Sequence, residues 1–255
     1  MENLNIALIQ SHLLWENPEG NRTMFSEKIT TIPNDIDLII LPEMFTTGFT
    51  MNPKHIPTEE KFKTVHWMQE WAQKKDAAIV GSIVNPEEDT FYNRLWFVSP
   101  KGLSTYDKRH TFTLAGEDRV YSRGEKKIKA FFRGFTFSPL ICYDLRFPVW
   151  ARNVENYDVL LYVANWPKPR ISAWDTLLKA RAIENMAYCI GVNRVGQDKL
   201  GYEYPGHSAV YDTLGNQLVF SEKEEVLYAT LSKKHITGNR EKLHFLEDRD
   251  PFNLL

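Results

Sequence analysis

With 255 residues, 43% of them hydrophobic, the chain holds enough apolar material to close one sizeable core without disulfides or a metal, and a single domain over residues 1–255 is expected. Its 31 Lys and Arg against 33 Asp and Glu leave a net charge of −2, so no global field draws it onto nucleic acid or anionic lipid, and a small molecule is the expected partner. No apolar run approaches the roughly 20 residues that span a bilayer, and Met1-Glu2-Asn3-Leu4 enters Ile6-Ala7-Leu8-Ile9 without a basic leader, which points to a cytoplasmic protein with no membrane partner.

The β-branched and apolar runs Leu4–Gln10, Asp37–Leu41, Ala77–Val84 and Leu95–Ser99 read as strands, with helical patterns at Arg22–Thr31 and Glu59–Lys75 between them. The later chain repeats this alternation. Phe135–Cys142 and Asp158–Ala164 are strand-like and Ala173–Ala187 is helical; Ala187–Val195, Ser208–Tyr211, Gln217–Phe220 and Val226–Leu231 are further strand candidates. This is α/β order. Neighbouring runs such as Ala77–Val84 and Phe91–Ser99 are able to pair antiparallel, so a mixed sheet in a layered sandwich is expected rather than a parallel barrel. The segment Gly116–Lys127, rich in Gly and charge, reads as a functional or surface loop.

Three segments could carry chemistry. Leu38-Ile39-Ile40-Leu41-Pro42 is a buried strand that delivers Glu43 to its C-terminal end, where α/β folds face their ligands. Phe135–Ile141 delivers Cys142 in the same way, just before the polar turn Tyr143-Asp144-Leu145-Arg146. Tyr106-Asp107-Lys108-Arg109-His110 sets a cationic cluster after a Ser-Thr turn. Each has a plain alternative: a solvated glutamate, a core thiol and a surface charge run. Cys189, inside Ala187-Tyr188-Cys189-Ile190, fits the core alternative. Neither G-x-G-x-x-G nor G-x-x-x-x-G-K-[ST] occurs, no Cys/His cluster has zinc spacing, and no cofactor is implied.

The order of Leu41-Pro42-Glu43, Tyr106-Asp107-Lys108-Arg109-His110 and Ile141-Cys142-Tyr143-Asp144-Leu145-Arg146-Phe147-Pro148 resembles the nitrilase, or carbon–nitrogen hydrolase, superfamily. The resemblance extends through Asn165-Trp166-Pro167, Ala180-Arg181-Ala182-Ile183-Glu184-Asn185 and Gly206-His207-Ser208, and within the superfamily the chain looks most like bacterial ω-amidases acting on 2-oxoglutaramate and related keto-acid amides. The resemblance implies a four-layer αββα sandwich and a homodimer. It assigns Glu43 as general base, Lys108 as the cation beside the nucleophile, Cys142 as nucleophile, and Glu117, with Gly124 seven positions on, as a second glutamate holding Lys108 or Glu43.

An amide is a poor electrophile, so its hydrolysis needs a strong nucleophile and donors for the oxyanion. Cysteine supplies the nucleophile, a neighbouring ammonium is expected to lower its pKa, and Lys108 with the Tyr143 N–H would receive the oxyanion. Arg146, Arg170 and Arg181 are candidates for a substrate carboxylate, with Arg170 preferred; Trp166 and Phe45 are expected to wall the pocket, and His110 to be supporting. N-carbamoyl or nitrile substrates, or a non-catalytic interaction protein on the same fold, are the competing readings.

Overall fold

A computed structural model describes residues 2–253. Its first half runs β1 (Asn3–Gln10), α1 (Pro18–Thr31), β2 (Leu38–Ile40), α2 (Glu59–Lys75), β3 (Ala78–Glu87), β4 (Thr90–Ser99) and β5 (Gly102–Asp107). The second half runs β6 (Ala130–Phe132), β7 (Phe135–Ile141), the short α3 (Pro148–Ala151), β8 (Val159–Ala164), α4 (Ile171–Asn185) and β9 (Tyr188–Asn193). A ribbon of β10 (Val195–Gln197) and β11 (Glu203–Pro205) follows, then β12 (Ser208–Tyr211), β13 (Gln217–Ser221), β14 (Glu225–Ser232) and α5 (Lys233–Leu243). The strands form two six-stranded sheets, ordered β14-β1-β2-β3-β4-β5 and β13-β12-β9-β8-β7-β6.

Both sheets are mixed. β1, β2 and β3 are parallel, as are β7, β8 and β9, while the outer strands pair antiparallel. Burial on both faces of β1 explains why its centre, Ile6–Ile9, is continuously apolar. Leu4, Ile6 and Leu8 point into the core between the sheets, whereas Ala7 and Ile9 pack beneath α1 and α2 with Phe25, Trp67, Met68 and Ala72. Phe97 of β4 meets Phe137 of β7 across the two sheets, ring centroids 5.2 Å apart. α4 covers the far side: a Cβ on Gly191 of β9 would come within 2.4 Å of Leu178 and 2.6 Å of Trp174. The result is the expected α/β sandwich, helices outside two facing sheets.

Several elements differ from the sequence reading. Ser104-Thr105 is not a turn but the middle of β5, and β3 and β4 extend past Val84 and before Leu95 into a long hairpin. Asn17 caps α1 by accepting from Gly20, with Pro18 in the first turn, so this helix begins four residues before Arg22. β6 and α5 were not foreseen; α5 buries only Ile236 and is predominantly polar, with few apolar residues to announce it. No helix among the described residues is long and apolar enough to cross a membrane.

Candidate active site

Four strand ends converge on one point. Glu43 follows β2, Lys108 follows β5, Cys142 follows β7 and Asn165 follows β8, so two groups come from each sheet. Such rims carry ligand-facing groups because the strand fixes the backbone while the next residue is free to turn away from it. Cys142, Lys108 and Asn165 line a cavity of about 300 Å³, together with Tyr143, Trp166, Arg146 and Arg170.

Lys108 is fully buried between two carboxylates. Its Nζ donates to Glu43 Oε1 at 2.9 Å and to Glu117 Oε1 and Oε2 at 3.1 and 2.9 Å. Asn93 of β4 ties the carboxylates to each other, donating to Glu43 Oε1 at 2.8 Å and Glu117 Oε1 at 3.2 Å. Glu43 Oε2 accepts the Asn165 N–H at 2.8 Å, and Glu117 accepts the Phe112 N–H. Buried charges are tolerated only when paired and hydrogen-bonded in this manner. Gly124 closes the arrangement from behind: its N–H donates to Lys108 O at 2.9 Å, and a Cβ there would lie 2.0 Å from Asp107 O.

The electrostatics follow from two anions around one cation. Burial alone would lower the Lys108 pKa, but Glu117 and Glu43 outweigh it and hold the ammonium above its ordinary value. Burial, with Glu43 contributing, raises the Glu117 carboxyl despite the opposing Lys108 charge. Cys142 is pushed well above the usual thiol range, first by burial and then by Glu43; Lys108 pulls the other way and loses, and Glu117 adds to the rise. The ammonium lowers the thiol pKa as expected, but burial and Glu43 outweigh it. The Lys108 charge is already committed to two carboxylates, and its pull on the sulfur is the weaker one.

Cys142 sits on a turn with φ +44°, a left-handed conformation that a residue with a Cβ adopts at a cost. Asp144 holds that turn. It accepts the Ile141 N–H at 3.1 Å, the Tyr106 hydroxyl at 2.7 Å and the His110 N–H at 3.0 Å, and contacts His110 Nδ1 at 2.8 Å. Trp150 Nε1 donates to the same Tyr106 hydroxyl at 3.0 Å. His110 stacks on Phe147, centroids 3.6 Å apart, and belongs to this support; among the described residues no histidine lines the cavity. Cys142 and Tyr143 open a tight helical turn, whose first N–H groups lack intrahelical acceptors.

Not every sequence candidate reaches the cavity. Phe45 does not: Met44 turns with φ +44°, and Phe45 goes into the core against Phe25, Trp67 and Gly81. Phe49, four residues later, lines the cavity instead. Arg181 is buried, donating to Leu145 O at 2.7 Å and to Glu184 at 2.9 Å, and is structural. Arg146 stacks over Trp166 at 5.0 Å and Arg170 over Phe112 at 5.0 Å; among the described residues neither guanidinium has a carboxylate partner. Sequence reasoning gave no role to Asn93, Asn165 or Asp144. The signal for Asn165 was the same one that marked Glu43 and Cys142, a polar residue ending an apolar strand.

The model of the carbon-nitrogen hydrolase family matches residues 5–241. The chain is 42% identical to the ω-amidase YafV of Yersinia enterocolitica over the full length of both, and 30% identical to a 2-oxoglutaramate amidase of Bacillus subtilis across 95% of this chain and 96% of that one. Among solved structures it is similar to a CN-hydrolase superfamily protein of Xanthomonas campestris with an arsenic adduct in the active site: TM-score 0.96, 38% identity, both chains covered completely.

Proposed function

The chain belongs to the carbon–nitrogen hydrolase family, and from that premise we propose that it is an ω-amidase, hydrolysing the terminal amide of a small keto-acid amide such as 2-oxoglutaramate. The observation that carries the substrate class is the pair of guanidinia, Arg146 and Arg170, facing the cavity without carboxylate partners. An anionic substrate supplies what they lack, and a planar guanidinium suits a carboxylate. With the carboxylate at Arg170 and Trp166 walling the cavity, the far end of a short chain reaches Cys142.

Chemistry then follows the proton. Glu43 takes the proton of the Cys142 thiol as sulfur attacks the amide carbon, so a thiolate exists only as the new bond forms. Lys108 and the Tyr143 N–H receive the oxyanion. The Glu43 carboxyl returns its proton to the amide nitrogen, the C–N bond breaks and ammonia leaves a thioester on Cys142. Glu43 next takes a proton from water, hydroxide attacks the thioester, and sulfur departs as the thiol. Glu117 keeps Lys108 fixed and charged throughout. Glycine at position 124 suits this role, leaving the Lys108 backbone where it is.

The test is ammonia release from 2-oxoglutaramate, glutamine, an N-carbamoyl amine and a nitrile at matched concentrations. The keto-acid amide should give the highest kcat/KM, and Arg170→Met should raise its KM at least about tenfold, the effect of losing one charge-assisted contact. A nitrile or carbamoyl compound turned over faster would overturn the substrate assignment.

A homodimer is part of the same reading, in a protein of the cytoplasm. Trp150 and Trp174 are consumed by their own core, but Val149, Val154 and Ile183 stay exposed on the α3 and α4 side and support a paired face. Light scattering over a dilution series tests it, and a monomer mass at full activity would remove it.

A further inference from the structure

Asn165 has one atom that the protein leaves unused. Its N–H donates to Glu43 Oε2 at 2.8 Å and its Nδ2 to Glu43 O at 2.6 Å, while Oδ1 is buried and has no partner. The orientation of the amide is fixed by chemistry, because Glu43 O can only accept and must face the NH₂ group. Rotating the group would set oxygen against oxygen there and again near Glu43 Oε2, which lies 3.5 Å from Nδ2. A buried acceptor without a donor is costly, and in a native fold it calls for a ligand or water to complete it. Asn165 is 5% exposed and lines the same cavity as Cys142 and Lys108, so the missing donor is to be sought in that cavity.

We propose that Asn165 Oδ1 accepts an N–H of the scissile carboxamide, making Asn165 the residue that selects an amide over an ester. The inference rests on the amidase reading above and adds to it a group that reads the leaving atom. A primary amide brings two N–H donors at the leaving nitrogen. An ester brings only lone pairs to the same place, and they would face the Asn165 oxygen. Because Asn165 is bonded to both the backbone and the carboxylate of Glu43, Oδ1 and the proton-transfer oxygen move as one unit. An N–H held by Oδ1 therefore leaves the nitrogen lone pair free to take the Glu43 proton once the tetrahedral centre has formed.

The experiment compares kcat/KM for the primary amide and the methyl ester of one acid in the wild type, Asn165→Ser and Asn165→Ala, with thermal melts to confirm folding. Weaker support of Glu43 slows the amide more than the ester, because only the amide nitrogen must take the Glu43 proton to leave, so the ratio is read against Asn93→Ala, which loosens Glu43 through its other oxygen and leaves Asn165 Oδ1 in place. The ratio should fall roughly 10- to 100-fold in the Asn165 variants, the scale of a lost polar contact to the reacting group. A ratio that falls no further than in Asn93→Ala, with wild-type amide cleavage intact, overturns the role of Oδ1 and leaves the amidase reading standing. If the wild type cleaves neither substrate, that reading falls and the inference with it. Should the variants not fold, the wild type alone decides through the primary, N-methyl and N,N-dimethyl amides. Loss of the last N–H should cost at least about tenfold more than the first methylation, and equal losses would overturn the proposal.

Discussion

The protein has two cysteines, and their surroundings are alike in one respect and opposite in another. Cys142 follows β7 and Cys189 lies in β9; both are buried free thiols, and burial pushes both above the usual thiol range. Acidity alone does not separate a nucleophile from a packing residue. What differs is the next atom outward. Cys189 sits on an extended strand in the core among Leu160, Ile190 and Tyr211, whereas Cys142 stands on a left-handed turn within the field of Glu43 and Lys108. The comparison teaches that a nucleophile is marked by the base and cation standing beside it, not by burial or by the thiol's own acidity.

The widest contrast is therefore expected on deletion. Cys142→Ala should lower ammonia release by more than about 10³-fold with the melting temperature nearly kept, since the thioester route is lost. A comparable loss in folded Cys189→Ala would erase the distinction. Glu43→Gln should follow at about 10²- to 10⁴-fold in kcat with KM little changed, the range for one general base. If it stayed active, the proton would have another destination. Glu117→Gln sharpens the comparison through pH. Glu117 raises the Cys142 pKa, so removing its charge should shift the midpoint of Cys142 alkylation, followed by mass spectrometry, to lower pH, while Cys189 stays unmoved. A shift upward would mean that loss of Lys108 positioning outweighs loss of the anion. Smallest of all, Cys189→Ala should cost about 1–2 kcal/mol in denaturant unfolding and leave kcat unchanged.

Much of this was legible in the sequence, for a physical reason. Strands buried on both faces are continuous apolar runs, and a polar residue ending such a run is conspicuous, as Glu43 and Cys142 were. Lys108 was legible only as a charge run, because β5 is an edge strand with little burial and no apolar signature. Phe45 was misjudged since a left-handed residue at 44 reverses the direction in which the following side chain points, and no periodicity carries that information. Asn93 and Asp144 were invisible for another cause. Asn93's partners lie 24 to 50 residues away in sequence, and those of Asp144, apart from the nearby Ile141 N–H, 34 to 38, so only the folded sheets bring donor and acceptor together.

The left-handed backbone at Cys142 carries a consequence for how such a protein would age under mutation. Any side chain with a Cβ carries a cost at that position. Once the sulfur is dispensable, glycine becomes the natural occupant: Cys142→Gly should melt above Cys142→Ala, reversing the usual order of those residues, by about 1 kcal/mol. In a lineage that no longer needed the reaction, glycine is thus the residue expected to settle at position 142 ahead of alanine, while the two sheets and their helices stayed as they are.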